Sequence, residues 1–268
     1  MTDLDRKRDT FRRLHQTGCF VIPNPWDIGS ARFLAQLGFP ALATTSSGFA
    51  WSRGCADNHV TLEEALRHFE EIAAGVDVPI NGDFEGGFAV EPERVSEHVG
   101  RAIRTGISGV SIEDSTGSAE DPLYEFPLAL ERVKAACAVV AGSGVLLTAR
   151  SEGFIVGRPD LAETVRRLTA YAEAGADCLY APGLKTPADI SVVVRAVAPK
   201  PVNLLIGGHH LTVVRAAELG VRRISVGGAL ARAAWAGFMA AAREIARDGT
   251  FNGLATAAPF QEVDGLFD

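Results

Sequence analysis

The chain is poor in the features that mark several common protein classes. Its four cysteines, Cys19, Cys55, Cys137 and Cys178, are widely separated and form no CxxC pair, which argues against a zinc site and against a disulfide framework. Buried free thiols are expected instead. No apolar run is long enough to span a membrane, and the charged start, Met1 to Arg13, has no signal-peptide core behind it. No membrane partner is therefore expected, and a cytoplasmic protein is. There is no basic cluster and the net charge is -7, so nucleic acid is not expected as a partner either. A GxGxxG fingerprint is also missing, which removes the usual marker of an open, doubly wound dinucleotide-binding sheet. What remains is 268 residues, 47% hydrophobic and 22% charged, enough to bury a sizeable core. An α/β barrel commonly reaches this length as one domain.

The most informative stretch is Pro79-Ile80-Asn81-Gly82-Asp83-Phe84-Glu85-Gly86-Gly87, an apolar run ending in two carboxylates one residue apart. It reads as a buried parallel strand that leaves Asp83 and Glu85 where the sheet stops. Like charges so close need water, a proton or a cation, and oxygen ligands at this density favour a hard ion such as Mg2+. An exposed acidic loop is the alternative reading of the pair taken alone.

The pattern around this stretch repeats. Strands are expected at Cys19–Ile22, Phe39–Ala43, Val78–Phe84, Gly109–Ile112, Gly144–Ala149, Asp177–Tyr180, Pro201–Ile206 and Arg223–Val226, each followed by a helical segment, most of them closed by glycine. Eight βα units with short links predict a (β/α)8 TIM barrel over residues 1–268. Residues 229–268 form a C-terminal helical extension, whose Phe251, Leu254, Phe260 and Phe267 have no obvious place in the barrel. Packing on a neighbouring subunit would cover them.

In such a barrel the carboxyl ends of the strands converge on one face. Read in order, they present Asn24 and Asp27, then Thr45, Ser46 and Ser47, then Asp83 and Glu85, Glu113, Arg150, Tyr180, Asn203 and Ser225. Asp83, Glu85 and Glu113, with Asp57 from the loop after the second strand, suit a hydrated Mg2+. Arg150 and the Thr45-Ser46-Ser47 group supply donors for a carboxylate or phosphoryl group. A small anionic, metal-chelating substrate follows. Read singly, Glu113 and Arg150 are equally a buried ion pair, and Thr-Ser-Ser equally turn chemistry.

Five ordered motifs resemble the isocitrate lyase/phosphoenolpyruvate mutase superfamily: Asn24-Pro25-Trp26-Asp27, Ala43 to Gly48, Asn81 to Gly87, Ile112 to Ser115, and Thr148-Ala149-Arg150. The resemblance extends through Pro201-Val202-Asn203 and Val226-Gly227-Gly228. It implies a barrel that binds Mg2+, with Mn2+ as the alternative, and acts on a 2-oxo-carboxylate or its enolate. It also implies a homodimer or homotetramer that exchanges its last helix between subunits. Carried over residue by residue, Asp83 matches the direct metal ligand, and Asp57, Glu85 and Glu113 match acids that hold metal-bound waters. Thr45, Ser46 and Ser47 match the cradle for the substrate carboxylate, Arg150 its clamp, and Asn203 a substrate contact. Tyr180 stands beside them as a candidate substrate contact. Arg150, Glu113 and Asp57 are the residues expected to carry catalysis.

Two departures narrow the chemistry. Where the lyase branch carries a Lys-Lys-Cys-Gly-His lid, Glu113 is followed here by Asp114-Ser115-Thr116-Gly117-Ser118-Ala119-Glu120-Asp121-Pro122, with neither cysteine nor base. Pro182 stands where the mutase branch has a histidine. The chemistry that survives needs little from the lid: loss of a β-carboxylate, or retro-aldol cleavage, through a metal-bound enolate. An oxo-acid decarboxylase or lyase is therefore the expected activity. The alternatives are a C–P or C–C bond mutase or hydrolase, a non-catalytic protein binding a 2-oxo acid such as 2-oxoglutarate, and an unrelated phosphate-binding barrel using Gly207-Gly208 and Gly227-Gly228. For the catalytic proton the sequence offers only Tyr180, His209 and His210.

Overall fold

The computed structural model describes residues 2–208 and 211–267. Eight parallel strands form the sheet: β1 (Phe20–Ile22), β2 (Leu42–Ala43), β3 (Ile80–Asp83), β4 (Gly109–Glu113), β5 (Leu146–Arg150), β6 (Cys178–Tyr180), β7 (Val202–Leu205) and β8 (Arg223–Ser225). Their order, β1-β8-β7-β6-β5-β4-β3-β2, carries a ladder at every neighbouring pair. At the remaining seam, β1 against β2, the Ala43 N–H donates to the Pro23 carbonyl at 3.0 Å. The Asn24 side chain reinforces it. Its Nδ2 donates to the Thr44 carbonyl, and its Oδ1 accepts from the Val226 and Gly227 N–H groups. The nearly closed (β/α)8 barrel expected from the βα alternation is present.

The strands are buried on both faces, as helix-covered parallel strands must be, and Ile80, Val110, Ile112, Leu147, Leu179 and Ile224 are among the residues of the main core. Inside the barrel the side chains are less uniform: Asn81, Ser111, Thr148, Asn203 and Arg223 are all buried, where aliphatic filling is usual. The bottom is shut by the helix Asp3–Leu14, which a Thr2/Asp5 capping box starts. Phe11 of that helix is fully buried and presses on Gly109, where an added Cβ would lie 2.5 Å from the Phe11 ring. Only glycine fits there.

Two local features differ from the sequence expectation. β2 is short, because Pro40 has no N–H to give to a ladder. The hydroxyl group after it is not a plain turn: Thr45 caps a helix, Ser46–Ser52, by accepting the Gly48 N–H. At the other end the helix Ala229–Asp248 stops at Gly249 in the left-handed conformation, followed by short helical turns at Asn252–Thr256 and Phe260–Asp264. In this extension Phe238, Phe251 and Phe260 are 63%, 63% and 75% exposed and find no cover in their own barrel, whereas Phe267, expected among them, packs beside Gly29, where Gln36 Nε2 also donates to the Leu266 carbonyl. Among the described residues no helix is long and apolar enough to cross a membrane.

Candidate active site

The carboxyl ends of the strands enclose a cavity of about 180 Å³. Asp83, the last residue of β3, lines it. Its Oδ2 accepts the Ser46 N–H at 3.0 Å and its Oδ1 accepts Arg150 Nη1 at 2.7 Å. Its own N–H donates to Thr44 Oγ1 at 2.8 Å, which fixes the strand end against β2. Ser46 and Ser47 line the same wall, with Thr45 Oγ1 and Ser47 Oγ 3.1 Å apart.

Strand register places Arg150 directly beside Glu113 on one side and Tyr180 on the other. Its guanidinium is fully engaged: Nη1 on Asp83, Nη2 on Glu113 at 3.1 Å, and Nε on Glu152 at 2.8 Å with a second bond from Nη2. The Tyr180 ring lies beneath it, 5.1 Å from the guanidinium carbon to the centroid. Glu152 escaped the sequence reading, which stopped at the strand end, although two residues past Arg150 is where a loop side chain can turn back onto it. Asp114, also missed, holds Glu152 in place. It accepts the Glu152 N–H at 2.8 Å and is itself bound by Arg167 and the Tyr171 hydroxyl.

The mouth therefore sets five carboxylates, Asp57, Asp83, Glu85, Glu113 and Glu152, against one guanidinium. Burial, then Asp83 and Asp57, push Glu85 up to about 8. Glu85 pays a further conformational cost, with φ +47° in the left-handed region. Asp57 stands on an exposed loop, yet its carboxyl is also raised, by desolvation first and then by Asp83. Burial raises Glu113 well above its ordinary value in spite of Arg150, and raises Glu152 as well. The same acids hold the Arg150 pKa up, against the effect of burial. Acids whose pKa values are raised by burial and by one another are ones that a nearby cation would relieve.

The donor set passes a test for Mg2+ on its chemistry. Among the described residues no group of three or more His, Cys, Asp or Glu side chains is placed to hold a metal ion, so any ion here would rest on one or two carboxylates and water. Mg2+ asks for one or two carboxylates and keeps its waters, which Asp83 with the Asp57 and Glu85 carboxylates around it can provide. Glu113, expected among the metal-facing acids, is turned to Arg150 instead.

Other expected site residues divide. Asn203 lines the cavity, but both ends of its amide are in use: Nδ2 on Ser225 Oγ at 2.9 Å and Oδ1 on Arg223 Nε at 2.8 Å. Asp27 is not part of the mouth, because its carboxylate caps the helix Ile28–Gln36. Asn24 lines the cavity and ties strand ends together through both ends of its amide. His209 and His210 lie outside the described residues. The lid segment is knotted by its own hydroxyls, with a Ser115–Leu123 bridge and Thr116 Oγ1 accepting the Ser118 N–H.

Fold and mouth together define a (β/α)8 barrel with an acidic, arginine-centred cavity at the carboxyl face. Residues 11–246 match the family described as phosphoenolpyruvate phosphomutase, and the chain belongs to this family, within the isocitrate lyase/phosphoenolpyruvate mutase superfamily. A crystal structure from Burkholderia cenocepacia J2315, described provisionally as a lyase/mutase, is 45% identical with a TM-score of 0.94, covering 99% of this chain and 97% of that one. An oxaloacetate decarboxylase from Paraburkholderia xenovorans is 30% identical over 227 residues, 80% of this chain and 73% of its own. The structure of an oxaloacetate acetylhydrolase with its product oxalate is 26% identical with a TM-score of 0.85, covering 98% of this chain and 96% of that one. Relatives named as enzymes thus include an oxaloacetate decarboxylase, a phosphoenolpyruvate phosphomutase and a probable 2-methylisocitrate lyase.

Proposed function

We propose that the protein is a Mg2+-dependent carbon–carbon lyase for a small 2-oxo-carboxylate, with decarboxylation of an oxaloacetate-like acid as the reaction. The observation that carries this reading is the gathering of three carboxylates, Asp83, Glu113 and Glu152, on Arg150 at the carboxyl ends of the strands, with the Ser46 N–H also on Asp83. Asp83 would be the direct ligand, and Asp57 and Glu85 would hold waters around the ion, while Glu113 stays on Arg150; Mn2+ is the substitute expected to serve. A Mg2+ ion held by these residues would supply the Lewis acidity that loss of a β-carboxylate from a 2-oxo acid requires.

The chain's own residues do the rest. Thr45, Ser46 and Ser47 offer donors to the substrate carboxylate at the wall beside Asp83. Arg150 Nη1 rests on Asp83, and with a cation held at Asp83 it would be available to that carboxylate. Glu152 and Glu113 keep the guanidinium in plane. Tyr180 lines the same cavity, and burial pushes its hydroxyl up to about 12, so it stays protonated at neutral pH. It is the group this reading assigns to return a proton to the carbon that loses CO2. Asn203, committed to Ser225 and Arg223, shapes the wall.

The exposed apolar extension supports a homodimer or homotetramer in which Ala229–Asp248 packs on a neighbour. A second reading, hydrolysis of the same class of acid, draws support from the likeness to oxaloacetate acetylhydrolase. One screen tests both. Small 2-oxo and 2-hydroxy di- and tricarboxylates, together with phosphonopyruvate, are incubated with protein and Mg2+, and binding and products are followed. Pyruvate and CO2 from oxaloacetate, lost with EDTA, is the expected result. Oxalate and acetate would favour hydrolysis, a phosphonopyruvate product the mutase branch, and a rise in melting temperature without product a binding protein.

A further inference from the structure

Arg223 opens β8 at the floor of the cavity whose rim carries Asp83 and Arg150. It is 3% exposed, and its partners among the described residues are neutral. Nε donates to Asn203 Oδ1 at 2.8 Å, and Nη1 reaches Asn81 Oδ1 and His15 Nε2, both at 3.4 Å. The imidazole brings no charge. His15 Nδ1 lies 2.8 Å from the Phe11 carbonyl, an acceptor, which fixes the proton on Nδ1 and leaves the Nε2 lone pair toward the guanidinium. Burial first, and Arg223 next, hold the His15 pKa down at about 3. Nη2 has no partner among the described residues, and Arg223 is one of the residues that line the cavity.

A buried cation compensated only by amide dipoles is costly, and an anion in reach of its free N–H groups removes the cost. We infer that Arg223 is an anion site at the cavity floor, which takes the distal carboxylate of a short dicarboxylate whose 2-oxo-acid head lies at the rim. This rests on the functional reading above and deepens it by naming the substrate class. The spacing agrees. Asn81, which Arg223 touches, and Asp83 are two residues apart on β3, about 6.6 Å along the strand. That is the reach of a short dicarboxylate, and the floor between them is lined by Ser111, Asn203 and Ser225, all polar and uncharged. Such a cavity accepts a compact diacid and has no room for a bulky carrier group.

The test uses (S)-malate and (S)-lactate, stable 2-hydroxy acids that differ in the distal carboxylate, titrated calorimetrically into the full chain with Mg2+. The wild type should prefer malate by roughly tenfold or more, the worth of a charge-assisted hydrogen bond. Arg223→Met should bring the two within about threefold by weakening malate alone, and Arg223→Lys should restore part of the preference. A preference unchanged in Arg223→Met overturns the inference while leaving the functional reading intact. A wild type that binds neither acid overturns both. Should Arg223→Met fail to fold, a crystal structure of the wild type with Mg2+ and malate decides: a carboxylate on Nη2 supports the site, and one elsewhere overturns it.

Discussion

Two arginines inside the barrel, one half-buried and one buried, lie along one line of strand register, Arg150 to Tyr180 to Asn203 to Arg223, and they keep opposite company. Arg150 meets three carboxylates within 3.1 Å, whereas Arg223 meets two amide oxygens and a neutral imidazole. The upper end of the cavity carries too much negative charge for its one cation, and the lower end a cation with no acid. Neither arrangement maximises stability, since a buried charge is best either matched or absent. Each is what a binding site looks like before its ligand arrives.

Predictions that break this contrast follow in order of size. Asp83→Ala removes the acid that joins Arg150, Ser46 and the expected metal position, and Mn2+ affinity by electron paramagnetic resonance should fall by more than about 100-fold. Unchanged affinity would remove the site assignment.

Arg150→Met should act in two directions. Oxo-acid binding is lost, and the metal binds about tenfold tighter without the acid, because the cation competing for Asp83 is gone. Weaker metal binding would show that Arg150 organises the acids rather than standing in for an ion. The same variant should lose about 3 kcal/mol of stability, with Glu113 and Glu152 left unpaired.

The third prediction concerns pH. Glu85 titrates near 8 in the folded chain and near 4.3 when unfolded, so between these values the folded state holds a proton that the unfolded state has released. This contribution is fully present below about pH 4.3 and is lost as pH rises through about 8. Melts in EDTA should therefore decline across that window, and Glu85→Gln should flatten the decline. A melting temperature that rises across the window in the wild type would contradict the crowding.

The smallest effect is expected at the floor. In Gly109→Ala the new Cβ would fall 2.5 Å from Phe11 and 2.7 Å from Asn81 Oδ1, the atom that Arg223 Nη1 approaches. A loss of about 1–3 kcal/mol by urea titration is expected, with metal affinity unchanged. A change in metal affinity would mean that the two ends are coupled through β3.

The strand positions were legible in the sequence because each apolar run is short, β-rich and punctuated by glycine or proline. Asp83, Glu113 and Arg150 were legible because they end such runs. Glu152 and Asp114 were not, since nothing local distinguishes a loop acid that turns inward from one that faces water. Arg223 was hidden for another reason. It stands at the start of a strand, where an arginine reads as a surface residue, and only closure of the barrel puts it inside. The helix Ser46–Ser52 was missed because its cap, Thr45, sits in a run of hydroxyl residues that reads equally well as a turn.

The seam between β1 and β2 makes the barrel a split ring rather than a hoop. Its two lips are joined by the Ala43 amide and pinned by the Asn24 carboxamide, and the Thr45-Ser46-Ser47 wall and Gly227 of the cavity lie immediately beyond them. Breathing of the ring should begin there, so the Ala43 amide should exchange its hydrogen with solvent sooner than amides of β4 and β5. A ligand held between the Ser46 wall and the β8 end would act as a clasp across the split, and its arrival should be visible as slower exchange at Ala43 before any product is measured.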